Sequence, residues 1–97
     1  MPAPSLAVAC VPTQDGWNCD VLIGDDPGAT QHHVQVSRVT MLDLAPGCSP
    51  EDLVRESFVY LLEREPRETI MRSFELPIIA RFFGDYADEI SRRLNGG

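Results

Sequence analysis

Two adjacent histidines, His32 and His33, the cysteines at positions 10, 19 and 48, and fifteen aspartates and glutamates are the groups in this 97-residue chain suited to catalysis or metal binding. An enzyme needs a nucleophile, a base or a metal ion held in mutual reach. On an extended segment neighbouring side chains point to opposite faces, so His32 and His33 cannot ligate one metal without a bulge. A histidine with a cysteine would make a nucleophile and base pair, or half a metal site, yet no spacing in the chain supports either. The cysteines are odd in number, widely spaced and without a C-x-x-C pair, which argues against a zinc knuckle or a thioredoxin-like motif. They read as buried free thiols in a reducing compartment. Ser49 and Ser73 lack a G-x-S-x-G or S-x-x-K context, and there is no Walker A loop, dinucleotide-binding glycine motif or calcium loop. Most carboxylates fall at expected caps and turns. The expectation is a non-enzymatic protein with no catalytic, cofactor-binding or metal-binding residue; a small enzyme with an unrecognised site is an alternative.

Charge narrows the partners. Eight arginines and no lysine stand against fifteen acidic residues, for a net charge of −7. Nothing in that balance draws a phosphate backbone, so nucleic acid is disfavoured. No basic residue precedes Arg38, which leaves Asp15, Asp20, Asp25 and Asp26 without a compensating charge. Solvated turns explain them; an anionic face for a basic protein partner is the functional alternative. No apolar run reaches the roughly 20 residues of a membrane span, and "MPAPSLAVAC" has no basic region ahead of its apolar stretch. The expected location is cytoplasmic, with a lipidated or secreted start as the alternative that Cys10 raises. Abundant arginine, alanine, proline and glycine without lysine point to a GC-rich bacterial coding sequence.

The elements that must position these residues divide the chain in two, a β part at about 5–38 and a helical part at about 50–94, within one α+β domain over 1–97. Trp17, Cys19, Val21 and Ile23 alternate with Asn18, Asp20 and Leu22, which predicts a strand. Asp26, Pro27 and Gly28 form a turn, and "TQHHVQVSRV" returns as a second strand carrying Val34 and Val36. "SLAVACV" is a candidate third strand, joined through Asp15-Gly16. Beyond Arg38, "TMLDLAPG" predicts a helical turn capped by Thr40. Ser49 is an N-cap with Pro50 at the first helical position, and Leu53, Val54, Phe58, Leu61 and Leu62 form the apolar stripe of a helix ending at Pro66. Glu51 is placed to pair with Arg55. "PRETIMRSF" predicts a short helix burying Ile70, Met71 and Phe74. Another begins at Pro77 with Ile78, Ile79, Phe82 and Phe83 inside, and a last one is capped by Asp85 with Ile90 and Leu94 buried. The expected fold is an antiparallel hairpin or three-stranded meander followed by three to four helices on one face.

Gln31, His33, Gln35 and Ser37 project from one side of the second strand, and a capped helix follows. Over Gln31 to Glu65 this resembles ribbon-helix-helix DNA-binding proteins, whose paired strands enter the major groove. That resemblance, or one to a β-strand-plus-helix antitoxin, implies a dimeric transcriptional regulator with Gln35 and Ser37 as candidate contacts. A second resemblance covers Glu51 to Ile90. A helix ending "LLEREP", then Phe74, Leu76, Ile79, Phe82, Phe83 and Tyr86 in order, is similar to a segment of small bacterial proteins with a strand-rich start and no assigned activity. It implies a fold, and its matching residues are apolar or capping ones. The Gly96-Gly97 ending is similar to the tails of ubiquitin-like sulfur carriers, but those are reached from a strand; here it reads as a helix stop.

The leading expectation is a bacterial interaction or regulatory module that binds a protein partner through its acidic turns or an exposed strand edge. Asp20, Asp25 and Asp26 are the candidate contacts for a basic partner, with His33, Gln35 and Ser37 on the strand face. No cofactor and no membrane contact are expected, and a homodimer stays open.

Overall fold

Period-two alternation builds the first part of the protein, which a computed structural model describes over residues 5–95. Strands β1 (Leu6–Pro12), β2 (Gly16–Ile23) and β3 (Thr30–Ser37) form an antiparallel meander. The inward row of Cys19, Val21, Ile23, Thr30, His32, Val34 and Val36 is buried. Thr13 N–H bonds the Gly16 carbonyl at 2.7 Å to close the first turn. Gly16 admits no side chain, because a Cβ there would lie 2.0 Å from the Val36 carbonyl oxygen. Cys10 and Cys19 are directly opposed, with Cα atoms 4.0 Å apart, and they form a disulfide. The expectation of free thiols therefore fails for this pair and stands for Cys48 alone. The register makes the difference: opposed residues at a non-hydrogen-bonded position bring their side chains closest.

Helix α1 (Arg38–Leu44) follows β3 without a loop, and its N-cap is Ser37 rather than Thr40. Ser37 keeps extended backbone while its Oγ accepts from the Thr40 N–H at 3.1 Å, which leaves Thr40 inside the first turn. Helix α2 (Pro50–Leu62) begins as its sequence dictates, with the Asp52 N–H donating to Ser49 Oγ at 3.1 Å. Leu53, Val54, Phe58 and Leu61 are buried in the core, Ser57 and Tyr60 are buried where α2 meets Tyr86, and Leu62 is half-buried at the flank. Fully burying Phe58 stabilises the fold by about 2–3 kcal/mol. Arg55 reaches Asp52 at 3.8 Å instead of Glu51.

The predicted helix over "PRETIMRSF" is absent. Arg67–Thr69 make one 3-10 turn, and Ser73–Glu75 form β4, parallel to β3, so that the sheet has four strands in the order β1-β2-β3-β4. The His33 N–H bonds the Arg72 carbonyl at 2.7 Å, so an unpaired edge of β3 wins over a short local helix. Phe74 is buried as expected, but Met71 is turned to solvent.

A 3-10 turn at Leu76–Ile78 leads into the four-residue α3 (Ile79–Phe82), in which Phe82 is 66% exposed, not inside. Helix α4 (Tyr86–Leu94) packs on α2, burying Tyr86 and Ile90. Asp85 does not cap it through its side chain. Its carboxylate instead accepts a hydrogen bond from the Tyr60 hydroxyl and lies 3.4 Å from Arg64. These partners hold Asp85 below the usual carboxylate range, while burial first, and then Asp85, pushes Tyr60 up to about 12. Arg93 of α4 bridges Glu63 at 2.7 Å and Glu56 at 3.5 Å, fastening the two helices.

Candidate interaction surface

Among the described residues all the helix packing falls on one side of the sheet, which leaves the other as an open face. Its rows follow from the register: Ala7, Leu22 and Gln31; Ala9, Asp20, His33 and Ser73; Val11, Asn18, Gln35 and Glu75. Val11 is 60% and Leu22 is 40% exposed. A shallow depression of about 200 Å³ lies over Ala7, Ala9, Asp20, Leu22 and Gln31, because alanine methyls do not fill the space between strands. A second, of about 410 Å³, lies at the far end beside Asp15, Asn18, Gln35 and Glu75.

The structure collects only some of the sequence-predicted residues here. His33 Nδ1 lies 2.8 Å from Asp20 Oδ1, a cross-strand pair in which each residue is the other's partner. Gln35 sits one row on, opposite Asn18. Ser37, by contrast, is engaged as the α1 cap. Asp25 is exposed in the β2–β3 turn. Beside it both carboxylate oxygens of Asp26 accept from Arg67 at 3.1 Å. The basic partner of Asp26 is thus a residue of the same chain, and the Arg67 hydrogen bonds hold the Asp26 carboxyl below its ordinary range. Room for that guanidinium comes from two glycines: a Cβ at Gly24 or Gly28 would lie 2.3 or 2.6 Å from an Arg67 nitrogen.

The two histidines part company as strand alternation requires. His32 is 3% exposed and packs against Phe58, with ring centroids 5.3 Å apart. Its Nδ1 lies 2.7 Å from the Met71 carbonyl and its Nε2 lies 2.9 Å from Thr30 Oγ1. A carbonyl only accepts, so Nδ1 carries the proton, and in the neutral ring Nε2 accepts from the Thr30 hydroxyl. Burial lowers its pKa and favours that neutral form. His32 thereby ties β3 to the segment entering β4.

Sequence reasoning named the strand edge but not its residues. The Gly24 N–H bonds Ser5 O, and the Thr13 N–H bonds Gly16 O, so odd-numbered residues of β1 face β2. Leu6, Val8 and Cys10 therefore direct their N–H and C=O groups away from the sheet, and Pro12 offers a carbonyl alone. Among the described residues none of these groups has a backbone partner. The signal was present in the alternation of alanine with larger residues through "LAVACVP".

Other concave sites are built differently. An apolar cleft of about 130 Å³ is lined by Ile70, Met71, Phe74, Phe82 and Glu65, among others. The depression next to Cys48, about 310 Å³, has Trp17, Arg38 and Met41 in its walls and no histidine or carboxylate. Among the described residues no group of three or more His, Cys, Asp or Glu side chains is placed to hold a metal ion, and no helix is long and apolar enough to cross a membrane. Gly96 and Gly97 lie outside the described residues. No family model, no curated protein and no solved structure matches the chain.

Proposed function

We propose that this chain is a protein-binding module that accepts an extended strand along β1. The observation carrying the reading is the seven-residue edge strand whose outward backbone groups at Leu6, Val8 and Cys10 are unpaired among the described residues. Natural edges are blunted by charge, bulges or brevity. The opposite edge, β4, is three residues long, whereas β1 is long and uncharged. Backbone hydrogen bonds would supply affinity and the side chains around the strand selectivity. On the open face the incoming strand's outer row meets Ala7, Ala9 and Val11 of β1, while Asp20 lies one strand farther in and His33 and Gln35 two strands farther in, so none of the three is an immediate neighbour of the added strand. Ser37 and Asp26 are engaged within the chain.

The reading is tested by selecting binders from a random-peptide library on the full chain and following amide exchange with the best peptide. Slowed exchange at Leu6, Val8 and Cys10 is the expected result. Protection confined to the Phe82 cleft would refute strand addition, as would failure of the monomeric chain to recover any peptide.

The ribbon-helix-helix alternative gains nothing from this geometry. β3 is paired with β2 along its length and with β4 over His33–Gln35, so the middle of the edge that would pair a second β3 is already taken.

A further inference from the structure

We infer that the strand β1 accepts is β1 of a second copy of this chain, so that two four-stranded sheets join into one continuous sheet. This rests on the strand-addition reading above and names its partner. The first support is symmetry. An antiparallel pair about a two-fold axis at Val8 sets Val8 opposite Val8, Ala7 opposite Ala9 and Leu6 opposite Cys10. The even residues carry the outward backbone groups, so Val8–Val8 and Leu6–Cys10 become the hydrogen-bonded pairs. The ladder stops at Pro12, which has no N–H to give. On the outer face alanine meets alanine, a pairing without steric conflict. On the inner face Leu6, Val8 and Cys10, only partly buried in one copy, gain an apolar neighbour each.

The second support is charge. Two copies each carrying −7 repel at long range, so a tolerable contact must lie where neither carries charge. From Ser5 to Gln14 there is no ionisable side chain other than the disulfide-bonded Cys10. The nearest carboxylate across the register is Asp20, opposite Ala9, and it is already paired with His33. A basic peptide would gain little at this seam, whereas an identical uncharged strand loses nothing.

The test is the solution mass of the full chain, by light scattering and sedimentation, together with variants carrying Ala9→Lys or Ala7→Lys. Both alanines are exposed on the outer face, and a lysine at position 9 lies opposite Asp20, so each variant keeps its fold. Across the two-fold each lysine comes close to its own copy. The expected result is twice the 10.8 kDa chain mass, with dimer dissociation constants raised at least about tenfold by either lysine. Gln31→Lys, on the same face but away from the edge, leaves the dimer intact. In a mixed-label sample an intermolecular Ala7–Ala9 Hα contact is expected. A dimer that survives both edge lysines overturns the inference, as does a monomer at every concentration. A monomer that still binds selected peptides along β1 sinks self-pairing alone. A monomer that binds none sinks strand addition as well.

Discussion

Reducing the Cys10–Cys19 disulfide perturbs one bond whose effect can be worked out in advance. The cysteines are nine residues apart in sequence, and the hairpin they close is already held by the β1–β2 ladder. The native state therefore changes little on reduction, and the effect falls on the unfolded chain, which regains the freedom of a short loop. In the chain-entropy treatment a loop of that size is worth about 2.5 kcal/mol. With a urea dependence of about 1–1.5 kcal/mol per molar for a domain of this size, the unfolding midpoint should drop by about 2 M. Trp17, half-buried at the end of β2 beside Arg38, provides the fluorescence signal. The assay is equilibrium urea unfolding with and without a phosphine reductant, in a Cys48→Ser background that removes the free thiol. Coincident midpoints in the two series would refute the reasoning, as would quantitative alkylation of Cys10 and Cys19 in the folded, unreduced protein.

Three further outcomes follow from the core and its caps. His32 is buried with a lowered pKa, so the unfolded chain takes up the proton more readily. Its contribution is complete above the ordinary histidine value of about 6.5 and is lost as pH falls from there toward the depressed folded value. The urea midpoint should therefore decline between about pH 7.5 and pH 5.5, and His32→Gln should flatten that decline. Phe58→Ala, which empties the space between His32 and Phe74, should cost about 3–5 kcal/mol by denaturant unfolding. Ser49→Ala removes the α2 cap and should cost about 1 kcal/mol without altering the native circular dichroism spectrum.

Much of this architecture was legible because local rules and tertiary packing agree. The inward phase of β2 and β3 follows from the alternation of Val21, Ile23, Val34 and Val36, and the start of α2 follows from Ser49 and Pro50. Agreement ended where a distant partner decided. Ile70, Met71 and Phe74 have helical spacing, yet β3 had an unpaired edge to offer, and three residues of strand with one inward side chain carry no alternation to detect. Asp85 has the residue type of a cap, but the Tyr60 hydroxyl competes for its carboxylate from a helix far away in sequence. His32 could have been assigned inward from its phase with Val34 and Val36; its bonds to Thr30 and the Met71 carbonyl needed the fold. Among the candidate contacts, the Asp20–His33 pairing required the strand register, and the capture of Asp26 by Arg67 required the path of the chain after α2.

The parallel placement of β4 beside β3 also bears on how the chain is made. Both helices α1 and α2 lie between these two strands in sequence, so the sheet is complete only after Glu75 has left the ribosome. Until then the meander can pair as it emerges, but its second edge stays open and its inner face waits for α2. A nascent chain paused before α2 therefore exposes two pairing edges and an uncovered apolar row at once, the state in which β proteins are most prone to associate. Synthesis past Glu75 removes one of those edges and leaves β1 as the single long one.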